Sequence, residues 1–343
     1  MFVPPRAANL LITHKCNLSC RHCSVYSHGE LPGELSPAEW GTILDKLAKA
    51  KLFTLTLTGG EPFMREDFPE VFREVLKRPF RVNINTNATL ITDEIAEVLA
   101  GAMPRFDTVM VSLDGDSPAI HDAIRGEGVF EKTMDGIRIL KSAKVPIVFY
   151  CTVNALNINR IEQITELAVK FGEYIKFNTF LDTGPDTDSK LNPTTNTVKQ
   201  AGIAVMNAAR KYPYRVSGTL LEMAVQAVKA NNGTAERFPS SKVCGAVSSK
   251  IAVFPNGSVT PCDHLPDLNL GNLLDSDLEE ILTGRRAEYF KRVTTMRRWP
   301  WAECKMCEFH NYCSGPCPAG APIEGASKEK FSLFCLKNYL MEQ

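Results

Sequence analysis

The feature that most constrains the fold is a regular alternation of short apolar segments with amphipathic segments over the first half of the chain. This alternation predicts parallel βαβ units, in which each strand is followed by a helix that packs on the sheet. Six units predict an incomplete α/β barrel that is open on one side, since eight would close a full barrel. The predicted strands are residues 8–13, 53–58, 81–86, 108–113, 146–153 and 174–181. The predicted helices are residues 36–50, 67–77, 92–100, 130–143 and 158–171.

Two of these helices have clear start signals. Ser36 is a typical N-cap, with Pro37 at the first helical position and Glu39 at the third, and this order predicts a capping box. Thr92 is placed to cap the helix predicted from residue 92. In a barrel of this kind the functional site is expected in the loops at the carboxyl ends of the strands.

The second half of the chain has a different composition. Residues 183–197 are rich in Asp, Thr, Pro and Asn and predict a linker, followed by helices at residues 198–211 and 219–230. From residue 243 onward, seven of the eleven cysteines stand among Gly, Pro and short elements. We therefore predict a partial barrel over residues 1–182, a helical linker region over 183–242 and a cysteine-rich extension over 243–343.

Charge and hydropathy exclude several classes of partner. Lys plus Arg and Asp plus Glu each number 39, so the formal net charge is zero. An obligatory nucleic-acid or anionic-membrane partner would require a basic surface, so neither is predicted. The sequence contains no run of about 18 apolar residues and no apolar signal segment near Met1. These observations predict a cytoplasmic protein with no membrane partner.

Eleven cysteines are many for a chain in a reducing compartment. Because the cytosol keeps thiols reduced, metal ligation is predicted for most of them rather than disulfide bonds. Cys151 is the exception, since it lies in an apolar predicted strand and is expected to be a buried core residue.

The first cysteine motif is C-x3-C-x2-C, formed by Cys16, Cys20 and Cys23 directly after the first predicted strand. Three thiolates on one loop can hold a [4Fe–4S] cluster and leave one iron open, unlike clusters ligated by four cysteines. An open iron can bind a substrate or cofactor, as catalytic zinc sites do. Three cysteines alone are equally compatible with a zinc knuckle.

The spacing, its place after the first strand and the aromatic His22 before the last cysteine resemble the radical S-adenosylmethionine (SAM) superfamily. The resemblance implies that the open iron chelates the methionine end of SAM. It further implies that an electron cleaves SAM to a 5′-deoxyadenosyl radical, which abstracts a hydrogen atom from the substrate. The cofactors supply this chemistry, while the protein supplies position and exclusion of water.

Further segments at successive strand ends resemble the same family. Gly59, Gly60, Glu61 and Pro62 resemble its GGEP motif, in which glycines let the backbone approach a ligand and the acidic residue pairs with the ammonium of SAM. The resemblance also implies contacts with SAM, including an arginine pair with its carboxylate and a lining for adenine and ribose. The residues at the corresponding positions are Asn85, Asn87, Ser112, Asp114, Arg125, Val153 and Asn154.

The C-terminal cysteines resemble the seven-cysteine SPASM extension of radical SAM enzymes, which carries two auxiliary [4Fe–4S] clusters. The family pattern assigns the outer cluster to Cys304, Cys307, Cys313 and Cys335, and the inner cluster to Cys244, Cys262 and Cys317. The inner cluster then has either an open iron or a non-cysteine ligand, for which Asp263, His264 and Asp267 are candidates. Taken alone, the C-x2-C and C-x3-C spacings are also compatible with a zinc ribbon.

Asp263 directly follows Cys262. In sulfatase-maturating relatives an Asp beside the equivalent cysteine accepts a proton from the substrate radical, so the resemblance implies a catalytic base here. Burial beside a cluster is expected to raise the pKa of such a carboxyl group. An ordinary turn cap or surface carboxylate is the alternative.

The family resemblance predicts a peptide or protein maturase that oxidises its substrate and draws electrons from a flavodoxin or ferredoxin. Because the first strand begins near Met1, no N-terminal leader-binding domain is expected, and a separate carrier or a leaderless substrate is implied. One alternative keeps these cofactors and changes the substrate to haem or another tetrapyrrole. A second alternative, from another class, is a non-enzymatic electron carrier or zinc-binding module.

Overall fold

The structure, a computed structural model, describes residues 2–24, 33–183, 187–234 and 244–295, together with Met306, Cys307, Cys317, Cys335 and Tyr339. Its strands are β1 (Ala7–Thr13), β2 (Thr54–Gly59), β3 (Arg81–Thr86), β4 (Phe106–Ser112), β5 (Ile147–Val153), β6 (Tyr174–Thr179), β7 (Val216–Ser217), β8 (Lys250–Val253), β9 (Ser258–Thr260) and β10 (Gly271–Asn272). Its α-helices are α1 (Pro37–Lys49), α2 (Phe68–Leu76), α3 (Asp93–Gly101), α4 (Pro118–Arg125), α5 (Val129–Ser142), α6 (Ile161–Lys170), α7 (Thr195–Lys211), α8 (Thr219–Asn231), α9 (Leu278–Thr283) and α10 (Arg285–Thr295).

All of these strands belong to one ten-stranded sheet, in the order β10-β9-β8-β1-β2-β3-β4-β5-β6-β7. From β8 to β7 every neighbouring pair is parallel, and β9 and β10 add an antiparallel hairpin beside β8. The predicted partial (β/α)6 barrel is confirmed by β1 to β6 with their helices. The sheet is wider than predicted because β7 extends one edge and the cysteine-rich region supplies β8 to the other.

Local signals placed several helices correctly. Ser36 accepts a hydrogen bond from the Glu39 N–H, and the Glu39 side chain accepts one from the Ser36 N–H, so the predicted capping box is confirmed. Thr92 caps α3 by accepting from the Ile95 N–H. Within the described ranges, no helix combines the length and the apolar character needed to cross a bilayer.

Two segments differ from the prediction. The helix α4 was not predicted, because only its last residue, Arg125, was interpreted from the sequence, and only as a contact with a ligand. The predicted linker at 183–197 is partly ordered by packing, since Leu191 is fully buried and its carbonyl accepts the Ala155 N–H. The helix α7 begins at Thr195, where Thr194 caps it, three residues earlier than predicted.

The two faces of the sheet are chemically different. One face carries apolar side chains that pack against the helices, such as Leu55 and Leu57 of β2 and Phe149 of β5. Because side chains alternate along a strand, the residues between these point to the inner face. There the side chains are mostly polar and only half-buried, as with Thr56 and Asn83. The outer face therefore stabilises the fold by packing against the helices. The polar inner face is only partly buried and is called the groove below.

We expect Gly136→Ala to destabilise the protein by about 1–3 kcal/mol, although alanine normally stabilises a helix relative to glycine. A Cβ atom on Gly136 in α5 would lie 2.0 Å from the carbonyl oxygen of Ala88. Gly101→Ala in α3 is the matched control, because no atom lies within 4 Å of the position that its Cβ atom would take. Urea unfolding of both variants checks the prediction, and equal stability of the two would contradict it.

Candidate active site

The three N-terminal cysteines lie on the loop that follows β1, here called the cysteine loop (residues 14–23). Cys16, Cys20 and Cys23 are all half-buried, and the Cys23 N–H donates to the Cys20 carbonyl at 3.1 Å. Burial raises the pKa of the Cys16 thiol to about 12, and the negative charges of Glu61 and of the other two sulfurs add to this effect. The charges of the three sulfurs therefore influence one another, although the three are not gathered to hold a single metal ion. A positively charged cluster would favour their thiolate forms.

Glu34 fixes the beginning of the cysteine loop. Its Oε1 accepts the Thr13 hydroxyl at 2.8 Å and the His14 N–H at 2.9 Å. The Thr13 Oγ1 in turn accepts the Lys15 N–H at 3.0 Å. These bonds turn the chain sharply at the end of β1, so that the cysteines lie over the carboxyl edge of the sheet.

Gly59 and Gly60 bring the loop after β2 against the cysteine loop. The Gly60 N–H donates to the Thr13 carbonyl at 2.9 Å, and the Glu61 N–H donates to the Lys15 carbonyl at 2.8 Å. A Cβ atom on either glycine would lie 2.2 Å from one of those carbonyl oxygens. The glycines were predicted to permit a close approach to a ligand. In the structure the close approach is to the backbone of the cysteine loop.

Glu61 joins the same loop to the end of β3. Its carboxylate is 1% exposed and accepts the Thr86 hydroxyl at 2.7 Å and the Asn87 N–H at 2.8 Å. Burial raises the pKa of Glu61 to about 7, although these hydrogen bonds act in the opposite direction. Within this structure the side chain connects two strand ends, and the adjoining Pro62 is also buried.

The two asparagines at the end of β3 have different surroundings. Asn87 donates from its amide to Asn17 Oδ1 at 2.9 Å and so holds the cysteine loop. Asn85 lies on the inner face, where its amide is 3.5 Å from Thr58 Oγ1. Its Oδ1 is buried and has no hydrogen-bond partner among the described residues. A buried acceptor of this kind is costly unless a ligand donates to it, so Asn85 fits a bound polar cofactor.

Arg125 is buried at the end of α4, directly beside the cysteine loop. Its Nε donates to Asp114 Oδ2 at 2.6 Å, and its Nη1 lies 3.9 Å from Cys20 Sγ. Its Nη2 lies 3.4 Å from His22 Nε2. Burial lowers the pKa of His22 to about 4, so this imidazole is neutral at neutral pH. The guanidinium thus places its positive charge near the Cys20 sulfur.

Asp114 has a fully buried side chain that holds Arg125 and accepts the Thr152 N–H at 2.7 Å. Burial alone would raise the pKa of Asp114, but the charges of Arg125 and the histidines keep it below its ordinary value. The Asp114 N–H donates to His121 Nδ1 at 3.2 Å, and Asn157 donates to the Asp114 carbonyl at 3.0 Å. This network locks the end of β4 to α4 and β5.

The other predicted SAM contacts also differ in exposure. Ser112 is half-buried at the end of β4. Val153 is fully buried in the core, and Asn154 is fully buried with its amide bonded to the Thr152 carbonyl at 3.1 Å. The loop after β2, Asn85 and Ser112 therefore form the side of the site that faces the groove. The fully buried residues Val153 and Asn154 lie on the side away from the groove.

Two of the predicted inner-cluster cysteines, Cys262 and Cys317, influence each other electrostatically. Burial raises the pKa of the Cys262 thiol to about 12, and the charges of Asp263 and Cys317 raise it further. Cys244 is half-buried, and its Sγ accepts the Ala246 N–H at 3.4 Å. Cys262 and Cys317 therefore share an environment, as expected for ligands of one cluster.

For the predicted outer cluster, Cys307 is half-buried and Cys335 is exposed. Cys335 lies near Tyr339, which is 2% exposed and packs against the backbone of α7 at Gly202. Cys304 and Cys313 lie outside the described residues. Within the described ranges, no three His, Cys, Asp or Glu side chains are gathered to hold a single metal ion.

Asp263 connects the cysteine-rich region with the barrel. Its Oδ2 accepts the Asn9 amide of β1 at 3.1 Å, and its buried Oδ1 has no hydrogen-bond partner in the described part of the chain. Burial would raise the pKa of Asp263, but His264 and Lys250 outweigh it and the pKa is lowered. The predicted raised pKa is therefore wrong in direction, and the carboxyl group is ionised at neutral pH. The other ligand candidates near Cys262 differ in exposure, since His264 is half-buried and Asp267 is exposed.

Several residues that build this site were not singled out from the sequence. They are Asn9, Asn17, Thr86, His121 and Asn157. Asn9 had a usable signal, because polar residues at alternate positions of an apolar strand indicate an inner face that contacts a ligand. The others act through partners that are distant in sequence, for which no local signal exists.

The carboxyl edge of the partial barrel carries half-buried thiols, a tightly packed glycine loop and a buried oxygen to which no described residue donates a hydrogen bond. Together these features are typical of an iron–sulfur enzyme that binds a small polar cofactor. Comparison with family models matches residues 10–168 to the radical SAM superfamily and residues 244–308 to the SPASM iron–sulfur cluster-binding domain.

Similar proteins cover most of the chain. An AdoMet-dependent heme synthase of Methanosarcina barkeri is 30% identical over 324 residues, which are 91% of this chain and 90% of that protein. The mycofactocin maturase MftC of Mycobacterium tuberculosis is 27% identical over 338 residues, which are 93% of this chain and 81% of the relative.

Solved structures of SuiB from Streptococcus suis share the fold. The structure bound to S-adenosylmethionine has a TM-score of 0.76 and 15% identity, and the match covers 95% of this chain and 77% of SuiB. The structure bound to the precursor peptide SuiA has a TM-score of 0.76 and 16% identity, covering 92% and 72% respectively.

The chain belongs to the radical SAM superfamily and carries a SPASM domain. It is an enzyme whose cofactors are SAM and [4Fe–4S] clusters.

We expect Gly60→Ala to weaken assembly of the N-terminal cluster, because the new methyl group would collide with the Lys15 carbonyl and displace the cysteine loop. Overpacking of this kind costs about 1–3 kcal/mol. Iron and sulfide content after anaerobic reconstitution should fall, while Gly101→Ala should keep the wild-type content. A fully loaded Gly60→Ala enzyme would count against this role of the glycine.

We expect Arg125→Met to shift the midpoint potential of the N-terminal cluster to a more negative value, because it removes a positive charge near Cys20 Sγ. A redox titration followed by electron paramagnetic resonance measures the shift, using the signal that changes when SAM is added. Arg125→Lys, which keeps the charge, should retain most of the wild-type potential. Arg21→Met is the neighbouring control, because the Arg21 guanidinium pairs with Asp188. An unchanged potential in Arg125→Met would rule out this effect.

Proposed function

We propose that this enzyme modifies a peptide or protein by abstracting a hydrogen atom from it. The observation that carries the proposal is the chemistry of the inner face of the sheet, which consists mainly of neutral hydrogen-bonding side chains. These half-buried residues are Asn9, Thr56, Thr58, Asn83, Asn85, Thr108, Ser112, Tyr150, Thr152 and Asn178.

Such a lining suits a peptide better than a flat apolar molecule. A peptide exposes an N–H donor and a carbonyl acceptor at nearly every residue, and amide and hydroxyl side chains can satisfy both. A tetrapyrrole would leave many of these side chains without partners, which is costly when water is displaced. Two similar proteins add support. One relative is a mycofactocin maturase, and SuiB, which shares the fold, has been solved bound to its precursor peptide SuiA.

The roles of the site residues follow from their positions. When bound, the N-terminal cluster and SAM supply a 5′-deoxyadenosyl radical that removes a hydrogen atom from the substrate. We propose that Cys16, Cys20 and Cys23 hold this cluster. The proposed contacts with SAM are made by Gly59, Gly60, Glu61, Pro62, Asn85, Asn87, Ser112, Asp114, Arg125, Val153 and Asn154. Among these, Asn85 and Ser112 contact it from the groove, and fully buried Asp114, Val153 and Asn154 support the pocket wall.

The C-terminal region completes the proposed assignment. We propose that Cys244, Cys262 and Cys317 ligate the inner auxiliary cluster. The outer cluster is assigned to Cys304, Cys307, Cys313 and Cys335. The regions are a barrel over residues 1–182, a helical region over 183–242 and the auxiliary-cluster domain over 243–343. A flavodoxin or ferredoxin is the proposed electron donor.

Asp263 is the proposed base that receives a proton from the substrate. Its Oδ1 has an unmet hydrogen-bonding capacity, and Asn9 orients the carboxylate toward the inner face. We expect Asp263→Asn to retain SAM cleavage but to lower product formation by roughly 10²-fold or more, as for loss of a general base. Mass spectrometry of the product, set against 5′-deoxyadenosine in the same reaction, separates the two steps. Equal losses of both would contradict the assignment.

A second candidate is modification of a tetrapyrrole. It is favoured by the Methanosarcina barkeri heme synthase, which is 30% identical over 91% of the chain. This candidate requires the groove to accept a planar molecule between the polar strands.

The proposed function is tested with anaerobically reconstituted enzyme, SAM and dithionite. We expect 5′-deoxyadenosine to form, and we expect Cys16→Ala to abolish its formation, because two thiolates cannot retain the open-iron cluster. A peptide pool with deuterated side chains should transfer deuterium to 5′-deoxyadenosine. Transfer from a deuterated porphyrin, with none from the peptide pool, would favour the second candidate and remove the first.

A further inference from the structure

Lys176 is a basic residue on the polar inner face within the body of the sheet. Lys176 is the third residue of β6, between the buried residues Ile175 and Phe177 of the outer face. It is directly opposite Tyr150 of β5, which in turn is opposite Ser112 of β4. Lys176, Tyr150 and Ser112 therefore form a row of half-buried side chains across three neighbouring strands.

The contacts of Lys176 orient its ammonium group without neutralising it. The Nζ lies 3.3 Å from the Tyr150 hydroxyl and 5.2 Å from the centroid of the Tyr150 ring. Among the described residues, no carboxylate lies within ion-pair distance of this nitrogen. Elsewhere, Lys141 pairs with Glu173, and Lys46 donates to the Leu273 carbonyl at 2.6 Å.

Lys176 is half-buried as a residue, and no counter-charge among the described residues compensates any hydration that its ammonium group loses. A cation–π contact and one hydroxyl offset only part of this cost. An anion in the groove would restore the balance, and its charge-assisted hydrogen bonds would be strengthened by partial exclusion of water. The phenol hydroxyl of Tyr150 is placed to donate to the same anion.

We propose that Lys176 and Tyr150 form a binding site for a carboxylate group of the substrate. The proposal deepens the proposed function and rests on it, since it adds that the modified peptide carries an acidic side chain near the reacting residue. Lys176 holds the carboxylate as a point charge, and Tyr150 fixes the direction from which the carboxylate approaches.

The position of the site separates it from the SAM pocket. In the sheet order, β6 lies four strands away from β2, whose loop carries Gly59 and Gly60. Lys176 also lies in the middle of its strand, whereas the proposed SAM contacts lie at strand ends. A ligand held at Ser112 would therefore have the Lys176 site beside it in the same row, two strands away and on the side opposite β2.

The test measures binding to SAM-loaded, reconstituted enzyme under anaerobic conditions. The first probe is a pair of synthetic short-peptide pools, acetylated and amidated at their ends, that differ only in a central Glu or Gln. The second probe is haemin compared with its dimethyl ester. We expect wild-type enzyme to retain the carboxylate member of at least one pair, and Lys176→Met to lose the preference by roughly tenfold.

Controls keep the result interpretable if one variant folds poorly. Lys176→Gln retains a polar side chain and should lose the same preference, while Lys132→Met, at an exposed position of α5, should keep it. Tyr150→Phe retains the ring and should weaken the preference less than Lys176→Met does. Iron content and SAM affinity are measured for every variant.

The outcomes separate this proposal from the proposed function. A Lys176-dependent preference for the Glu pool supports both. A Lys176-dependent preference in the haemin pair alone supports the carboxylate site but removes the peptide as its source. The carboxylate site is overturned if wild-type enzyme shows no preference in either pair, or if the preference survives in Lys176→Met. It is also overturned if Lys176→Met loses SAM affinity, which would assign Lys176 to the cofactor pocket.

Discussion

The backbone contact between the cysteine loop and the glycine pair after β2 is the constraint on which the site depends. Gly60 and Glu61 donate to the carbonyls of Thr13 and Lys15, and side-chain atoms on the glycines would prevent this approach. The contact joins two neighbouring strand ends, one followed by the cysteine loop and the other by the glycine pair. Because Glu61 then bonds to the end of β3, hydrogen bonds within the chain hold three strand ends in one arrangement.

The sheet uses its two faces for different purposes. Full barrels of this class fill their interior with layers of branched apolar side chains. Here the apolar side chains pack outward against the helices, and the interior carries amide and hydroxyl groups that are only half-buried. The stability of the fold therefore comes from the outer layer, and the interior can keep polar groups that contact a substrate. The ammonium group of Lys176 fits this division, because a charged group is tolerated where water or an anionic ligand can reach it.

The cysteine-rich region is built onto the barrel at its first strand. β8 pairs with β1 in parallel, and Asp263 is bonded to Asn9 on the inner face. This arrangement brings Asp263, the residue after Cys262, to the inner face of the sheet. Lys250 and His264 keep Asp263 ionised, so the groove has an anionic group at β1 and a cationic group at β6. A substrate between them meets opposite charges on opposite walls.

Local patterns in the sequence determined the βα units, because strand and helix periodicity depend on neighbouring residues, and β3 was predicted to the residue. The spacing of Cys16, Cys20 and Cys23 predicted a metal site on one short loop, and the strand-end segments that resemble the radical SAM superfamily then favoured an iron–sulfur cluster over zinc. Only the tertiary structure decided that Glu61 holds β3, that Arg125 faces Cys20, and that β8 joins β1. These partners are separated by 25 to more than 200 residues. Hydrogen bonds and ion pairs form between whichever groups folding brings together, and no local pattern encodes that choice.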